Sequence, residues 1–204
     1  MDSVPTMVEA SYLTRVDLRL IEVGWHNQAS TATSLAAGGL IVRMGAEQPV
    51  YLLTGIVMGP ARITIRTLAA RPYVVEPGWE DVGEVSVLAD GRPVFVRGPW
   101  AEHRDLHNDL VDGGTGWYRV RAHARGRDLC DDLVVEDPVE DYLLVAWPED
   151  PAEPETVQVT SKHGKQLAAK PFPWTPAAEP DPQRRAAEAN LRDVARRIGQ
   201  LRGE

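Results

Sequence analysis

Alternation of apolar and polar positions dominates the first 165 residues. In Thr14 to Val23 (TRVDLRLIEV), Val16, Leu18 and Leu20 alternate with Arg15, Asp17 and Arg19, the period of a half-buried strand. Leu40 to Met44 is a shorter strand candidate. Val50 to Met58 (VYLLTGIVM) is apolar at both parities, which suits a central strand. After Gly59-Pro60, Ala61 to Leu68 sets Ile63 and Ile65 against Arg62, Thr64 and Arg66. Glu84 to Ala89 and Arg92 to Arg97 flank Asp90-Gly91 and predict a tight hairpin, because both turn residues tolerate positive φ. Tyr118 to Ala124, Asp141 to Trp147 and Thr156 to Thr160 complete the set. No amphipathic helix of ten residues interrupts them. The succession predicts a mainly β domain over 1–165, an antiparallel β-sandwich of jelly-roll-like character.

The pattern changes after Trp147. Eight of the sixteen prolines lie between Pro148 and Pro182, which disfavours sheet and helix and predicts a proline-rich linker over 166–182. From Gln183 the spacing becomes helical. Ala187, Leu191, Val194, Ile198 and Leu201 recur every three or four residues and form one narrow apolar seam. A short amphipathic C-terminal helix over 183–204 follows. Its seam must be covered, because about twenty residues are only marginally helical alone. The acidic body of the same chain, a second copy or a protein partner would cover it.

Charge sharpens the division. The chain carries −8 overall, yet residues 182–204 hold six Arg against Glu188, Asp193 and Glu204, leaving −11 on the rest. So acidic a body would repel a nucleic-acid backbone, and the narrow seam lacks the large aromatics of a membrane-surface helix. No run is long and apolar enough for a membrane span, and the first residues carry no secretory pattern; a cytoplasmic protein is expected. The single cysteine, Cys130, excludes an internal disulfide. Its setting in RDLCDDL, beside Asp128, Asp131 and Asp132, disfavours the thiolate that a nucleophile needs.

One strand stands out against this acidity. In GWYRVRAHARGRD (116–128), Arg119, Arg121, His123 and Arg125 share one parity, while Tyr118, Val120 and Ala122 share the other. The apolar parity predicts the core face. A ladder of like charge needs partners, because like charges are unfavourable neighbours in a sheet. Cross-strand pairing with Glu80 to Glu84 and Glu140-Asp141 is one reading, and binding of an anionic partner by Arg119, Arg121, His123 and Arg125 is the other.

Catalytic motifs are absent. HRDLHND (103–109) has the opening of a kinase catalytic loop, but Leu110 stands where the metal-binding Asn belongs and no DFG follows. His103 and His107, with Asp105 and Asp109 nearby, have an i, i+4 spacing that could hold zinc on a helix. The stretch lacks the glutamate of the metalloprotease motif, and no third ligand is identified. Glu80-Asp81, Asp131-Asp132 and Glu136-Asp137 lack the spacing of a calcium loop. No GxSxG, phosphate loop or dinucleotide fingerprint occurs. No cofactor is expected.

WEDVGEVSV (79–87), GWYRVRAHARGRD (116–128) and DYLLVAWPEDP (141–151) together resemble a group of uncharacterised actinobacterial proteins, over about residues 50–165. More remotely, the strand order and the G-x-Y strand are similar to competence protein J, an inhibitor of a DNA-degrading nuclease. The resemblance implies a β-sandwich and an inhibitor role. The expected function is a non-catalytic protein-binding module, of inhibitor or immunity type. The alternative is a small-ligand or metal-dependent enzyme with a loop-built site around His103 and His107.

Overall fold

The computed structural model describes residues 6–25, 34–44, 48–101 and 109–170. The described residues are mainly β, with two sheets and one short helix. Eleven strands and a helix follow in chain order: β1 (Thr6–Val16), β2 (Leu20–Val23), β3 (Leu35–Ala37), β4 (Ile41–Arg43), β5 (Val50–Leu53), β6 (Gly59–Leu68), β7 (Asp81–Ala89), β8 (Val96–Arg97), β9 (Gly116–Arg125), β10 (Asp141–Pro148), β11 (Glu155–Val159) and α1 (Lys162–Ala168). A six-stranded sheet has the order β1-β6-β10-β9-β7-β11, and a five-stranded sheet has the order β3-β4-β5-β2-β8.

The long alternation from Thr14 to Val23 does not form one strand. Leu18 and Arg19 adopt positive φ (52° and 65°), and the Leu20 amide donates to the Asp17 carbonyl at 3.0 Å. This tight turn sends β1 to the larger sheet and β2 to the smaller. The turn is held from outside, since the Arg19 amide donates to the Val57 carbonyl.

Val50 to Met58 is shorter than its apolar run. β5 is the middle strand of the five, as its two-sided apolarity predicts, but it stops at Leu53. There the Thr54 hydroxyl donates to the Ile56 carbonyl and turns the chain.

The hairpin expected at Asp90-Gly91 is not formed. Gly91 does take the positive φ (91°) of a turn, but the following strand crosses to the other sheet, where β8 pairs with β2 through Val23–Val96 and Glu22–Arg97. Pro93 cannot donate to a ladder, and the Val94 amide is taken by the Asp109 carboxylate at 2.7 Å. The local turn signal was satisfied without the pairing it implied.

The larger sheet is not wholly antiparallel either. β10 runs parallel to β6, with Tyr142 beside Ile63 and Leu144 beside Ile65, and antiparallel to β9. β10 is the strand apolar on both faces. Tyr142, Leu144 and Ala146 join the main core, while Leu143, Val145 and the fully buried Trp147 form a second cluster with Leu68 on the opposite face. The main core draws on both sheets, combining Ile21, Val23, Ile41 and Leu52 with Ile63, Ile65, Val85, Val87 and Val120.

α1 was absent from the sequence reading and runs across residue 165, where the first domain boundary was placed. Ser161 caps it by accepting from the Gly164 amide. The proline-rich stretch from 171 and the seam residues Ala187, Leu191, Val194, Ile198 and Leu201 lie outside the described residues.

Candidate functional site

The parity of β9 is as the sequence predicts, with Tyr118, Val120, Ala122 and Ala124 all in the main core. The opposite face is not solvent. Arg119, Arg121 and His123 are buried too, and only Arg125 of the four is exposed. Their cover comes from residues 69–80, between β6 and β7, and from residues 149–153. The Val74 carbonyl accepts from Arg121, and the Ala152 and Glu153 carbonyls accept from Arg119 at 3.0 and 2.8 Å. Trp79 lies against His123 and beneath the Arg125 guanidinium, 4.9 Å away.

Glu84 organises this face. It stands opposite Arg121 in the β7–β9 register, fully buried, and accepts from Arg121 Nε at 2.7 Å and Arg119 Nε at 3.0 Å. Arg71 adds a third guanidinium at 3.0 Å and extends the network to Glu149. Burial pushes the Glu84 carboxyl upward, but the hydrogen bonds from Arg121 and Arg119 outweigh it and hold its pKa below the ordinary value. Arg125 pairs with Asp141 at 2.9 Å, where Arg62 also reaches. Among the four basic residues, three guanidiniums thus have carboxylate partners on neighbouring strands. His123 has none. Its Nδ1 meets the Leu143 carbonyl at 3.0 Å, and burial lowers its pKa to about 4, so it is neutral at pH 7.

A second buried assembly joins the sheets to α1. Gly126, at φ 85°, ends the β9 alternation and turns Arg127 inward, where it is fully buried. Arg127 pairs with Asp81 at 2.8 Å and donates to the carbonyls of Gly39 and Leu53. Asp81 also accepts from the Ser161 hydroxyl at 2.5 Å and from the amides of Thr160 and Ser161. Nearby, Glu140 accepts from the Ile56 amide at 2.7 Å and the Tyr142 hydroxyl at 2.5 Å; burial raises its pKa despite those bonds. Each carboxylate oxygen of Asp81 and Glu140 has a donor, a backbone amide on one oxygen and side chains on the other. Sequence parity sets Arg127 with the polar positions and gives no sign of its burial, because the glycine before it redirects the chain.

Residues 126–137 are the contrast. Leu129, Leu133 and Val134 are 71%, 54% and 67% exposed, and Leu18 of the neighbouring turn is 62% exposed. Backbone bonds bring Leu18, Leu133 and Val134 into one neighbourhood. Val57 donates to the Leu133 carbonyl and accepts from the Arg19 amide, so the turn that carries Leu18 and the segment that carries Leu133 bond to the same residue, and Val134 bridges Met58. Five acids, Asp128, Asp131, Asp132, Glu136 and Asp137, lie in residues 128–137 with no base among them and are all exposed.

The stretch is pinned. Arg19 pairs with both Asp131 and Asp132, and Asp132 takes a positive φ of 66°. Asp128 accepts from the Lys162 and His163 amides at 2.8 and 2.9 Å, capping α1. His163 Nδ1 lies 2.9 Å from Asp131, and burial followed by the Arg127 charge lowers its pKa in spite of that carboxylate. Cys130 is half-buried against the main core rather than displayed. An apolar surface is therefore presented on a fixed, acid-rimmed support. The sequence reading missed it, because Leu129, Leu133 and Val134 follow neither a period of two nor of 3.6.

His103, Asp105 and His107 lie outside the described residues, so the structure gives them no geometry. Among the described residues no three His, Cys, Asp or Glu side chains are grouped to hold a metal ion, and no helix is long and apolar enough to cross a membrane.

No family model matches the chain, and no curated protein matches it. A solved structure described as "Crocagin biosynthetic gene J" is similar at 16% identity and a TM-score of 0.41, covering 70% of this chain and 99% of that one. The resemblance to competence protein J does not appear in these comparisons.

Proposed function

We propose that this protein is a non-catalytic protein-binding module, and that the surface around Leu18, Leu129, Leu133 and Val134 is where it binds. The observation that carries the reading is the exposure of those four apolar side chains on a support held by backbone hydrogen bonds and by the Arg19 ion pairs. A patch of large aliphatic groups rimmed by charge is characteristic of an interaction surface. The charged groups best able to do chemistry are spoken for: Glu84, Asp81 and Arg127 are buried and paired.

The partner on this reading is basic. Asp128, Asp131, Asp132, Glu136 and Asp137 surround the patch, and the whole chain carries −8. An acidic surface of this kind speeds encounter with a basic groove and selects for it, which is the inhibitor-type form of the proposal. The fold beneath it is read as a jelly-roll-like β-sandwich, supported by the main apolar core, which draws on both sheets.

The test compares the immobilised protein with its Leu129→Asp/Leu133→Asp variant in parallel capture from the native host. A protein held by the first and lost from the second, then reproduced with purified components by calorimetry, supports the reading. Equal capture by both would sink it.

A further inference from the structure

We infer that the occupant of this surface is the basic segment 183–204 of a second copy of the chain, so that the protein assembles head to tail. The inference rests on the protein-binding reading and supplies its partner.

Charge is the first argument. Residues 128–137 contain five acids and no base. Arg19 answers Asp131 and Asp132, and α1 amides answer Asp128, while Glu136 and Asp137 make no ion pair among the described residues. A surplus of negative charge therefore remains around the exposed leucines. Residues 183–204 carry the complement, with Arg184, Arg185, Arg192, Arg196, Arg197 and Arg202 against three acids. Apolar character matches as well. The seam of Leu191, Val194, Ile198 and Leu201 is aliphatic throughout, and the surface offers Leu18, Leu129, Leu133 and Val134.

Chain length selects the second copy. The first amides of α1 are held by Asp128, and a helix of seven residues is about 10 Å long, so the chain leaves α1 close to the surface. The twelve residues from 171 to 182 include five prolines, a composition that favours an extended spacer of up to ~35 Å. A stiff spacer much longer than the distance to be closed lowers the local concentration of its end at the starting point. The same spacer suits a neighbouring copy. Because one surface meets a different one, the contact is heterologous and builds open chains or closed rings, the smallest ring being two copies that exchange their segments.

Sedimentation velocity on the full-length protein is the test, from about 1 to 100 μM, the range of moderate self-affinities. The wild type is expected to gain mass with concentration and to lose it in high salt, its apparent affinity falling by about tenfold as the charges are screened. Two variants each remove one half of the contact: Glu136→Lys/Asp137→Lys on the surface, where both side chains are exposed, and Leu191→Asp/Ile198→Asp on the seam. Each alone is expected to stay monomeric. Mixed, they retain one intact surface and one intact seam, and are expected to form a complex of two copies and nothing larger.

A labelled peptide of residues 183–204 separates the two proposals. A wild type that stays monomeric at every concentration overturns the second-copy assignment, including the case where it is monomeric because its own segment occupies the surface. If the peptide fails to bind while Leu129→Asp/Leu133→Asp still loses a captured partner, the occupant is wrong and the protein-binding reading stands. Larger assemblies in either variant alone would place self-association on another surface and overturn the inference.

Discussion

Arg127 and Asp81 meet at 2.8 Å with both side chains fully buried, and their remaining hydrogen bonds reach both sheets and the start of α1. Such a pair is costly to bury, so its contribution to stability lies less in mutual attraction than in the backbone groups it satisfies. Removing one member strands a charge. Arg127→Met and Asp81→Asn are each expected to lose roughly 3–5 kcal/mol in urea denaturation, the range for breaking a buried pair. The double variant should lose less than the two losses added together, giving a coupling above about 1 kcal/mol. Simple additivity would mean that the two residues act separately.

Gly164 sits inside α1 against that pair. A Cβ there would lie 2.7 Å from Arg127 Nη2 and 2.9 Å from Asp81 Oδ1. Helix propensity alone favours alanine by about 1 kcal/mol. The contact is expected to win, so that Gly164→Ala lowers the melting temperature. A rise would show that Arg127 can move aside at little cost.

Tyr118 tests the parity of β9 from its core side. Its ring joins the main apolar cluster, and Tyr118→Ala should cost roughly 3–5 kcal/mol, as for other large aromatic truncations. Chemical denaturation that finds less than about 1 kcal/mol would contradict the packing described.

His123 sets a pH dependence. Unfolded, its imidazole takes a proton near 6.5; folded, burial lowers the pKa to about 4. The unfolded chain therefore binds the extra proton between those values, and stability is full above about 6.5 and falls as the pH drops toward 4. The loss attributable to this group is about 3 kcal/mol. His163, lowered in the same direction, adds to it. Denaturation of wild type and His123→Phe at pH 7.5 and 4.5 should show a smaller acid-induced loss in the variant. Equal losses would assign the dependence elsewhere.

Half of β9 was legible because hydrophobic periodicity reports directly on the core. Tyr118, Val120 and Ala122 had to face one way. That Arg119 and Arg121 would be buried as well was not legible, since their cover comes from residues 69–80, whose path over the sheet no local pattern encodes. The acidic strand of Glu84 was identified as a neighbour, because unpaired like charges demand one. The Asp90-Gly91 hairpin failed for the opposite reason: a turn fixes φ and ψ but not which strand the chain pairs with next. Positive φ at Leu18 and Arg19 was hidden by side chains that normally avoid it, and it is maintained by Val57, Asp131 and Asp132. The exposed Leu129, Leu133 and Val134 left no periodic trace, because they lie in irregular backbone rather than on the core face of a strand or helix.

The parallel pairing of β6 with β10 has a consequence for synthesis. Arg62 and Asp141 are neighbours in the sheet but 79 positions apart in the chain. At ribosomal rates of roughly 5–20 residues per second, β6 waits about 4–16 s for the strand that will flank it. During that time it has β1 alone as a sheet neighbour, and its free edge is open to other nascent chains. Losses to aggregation during expression should then follow the pace and temperature of translation more closely than the melting temperature of the finished protein.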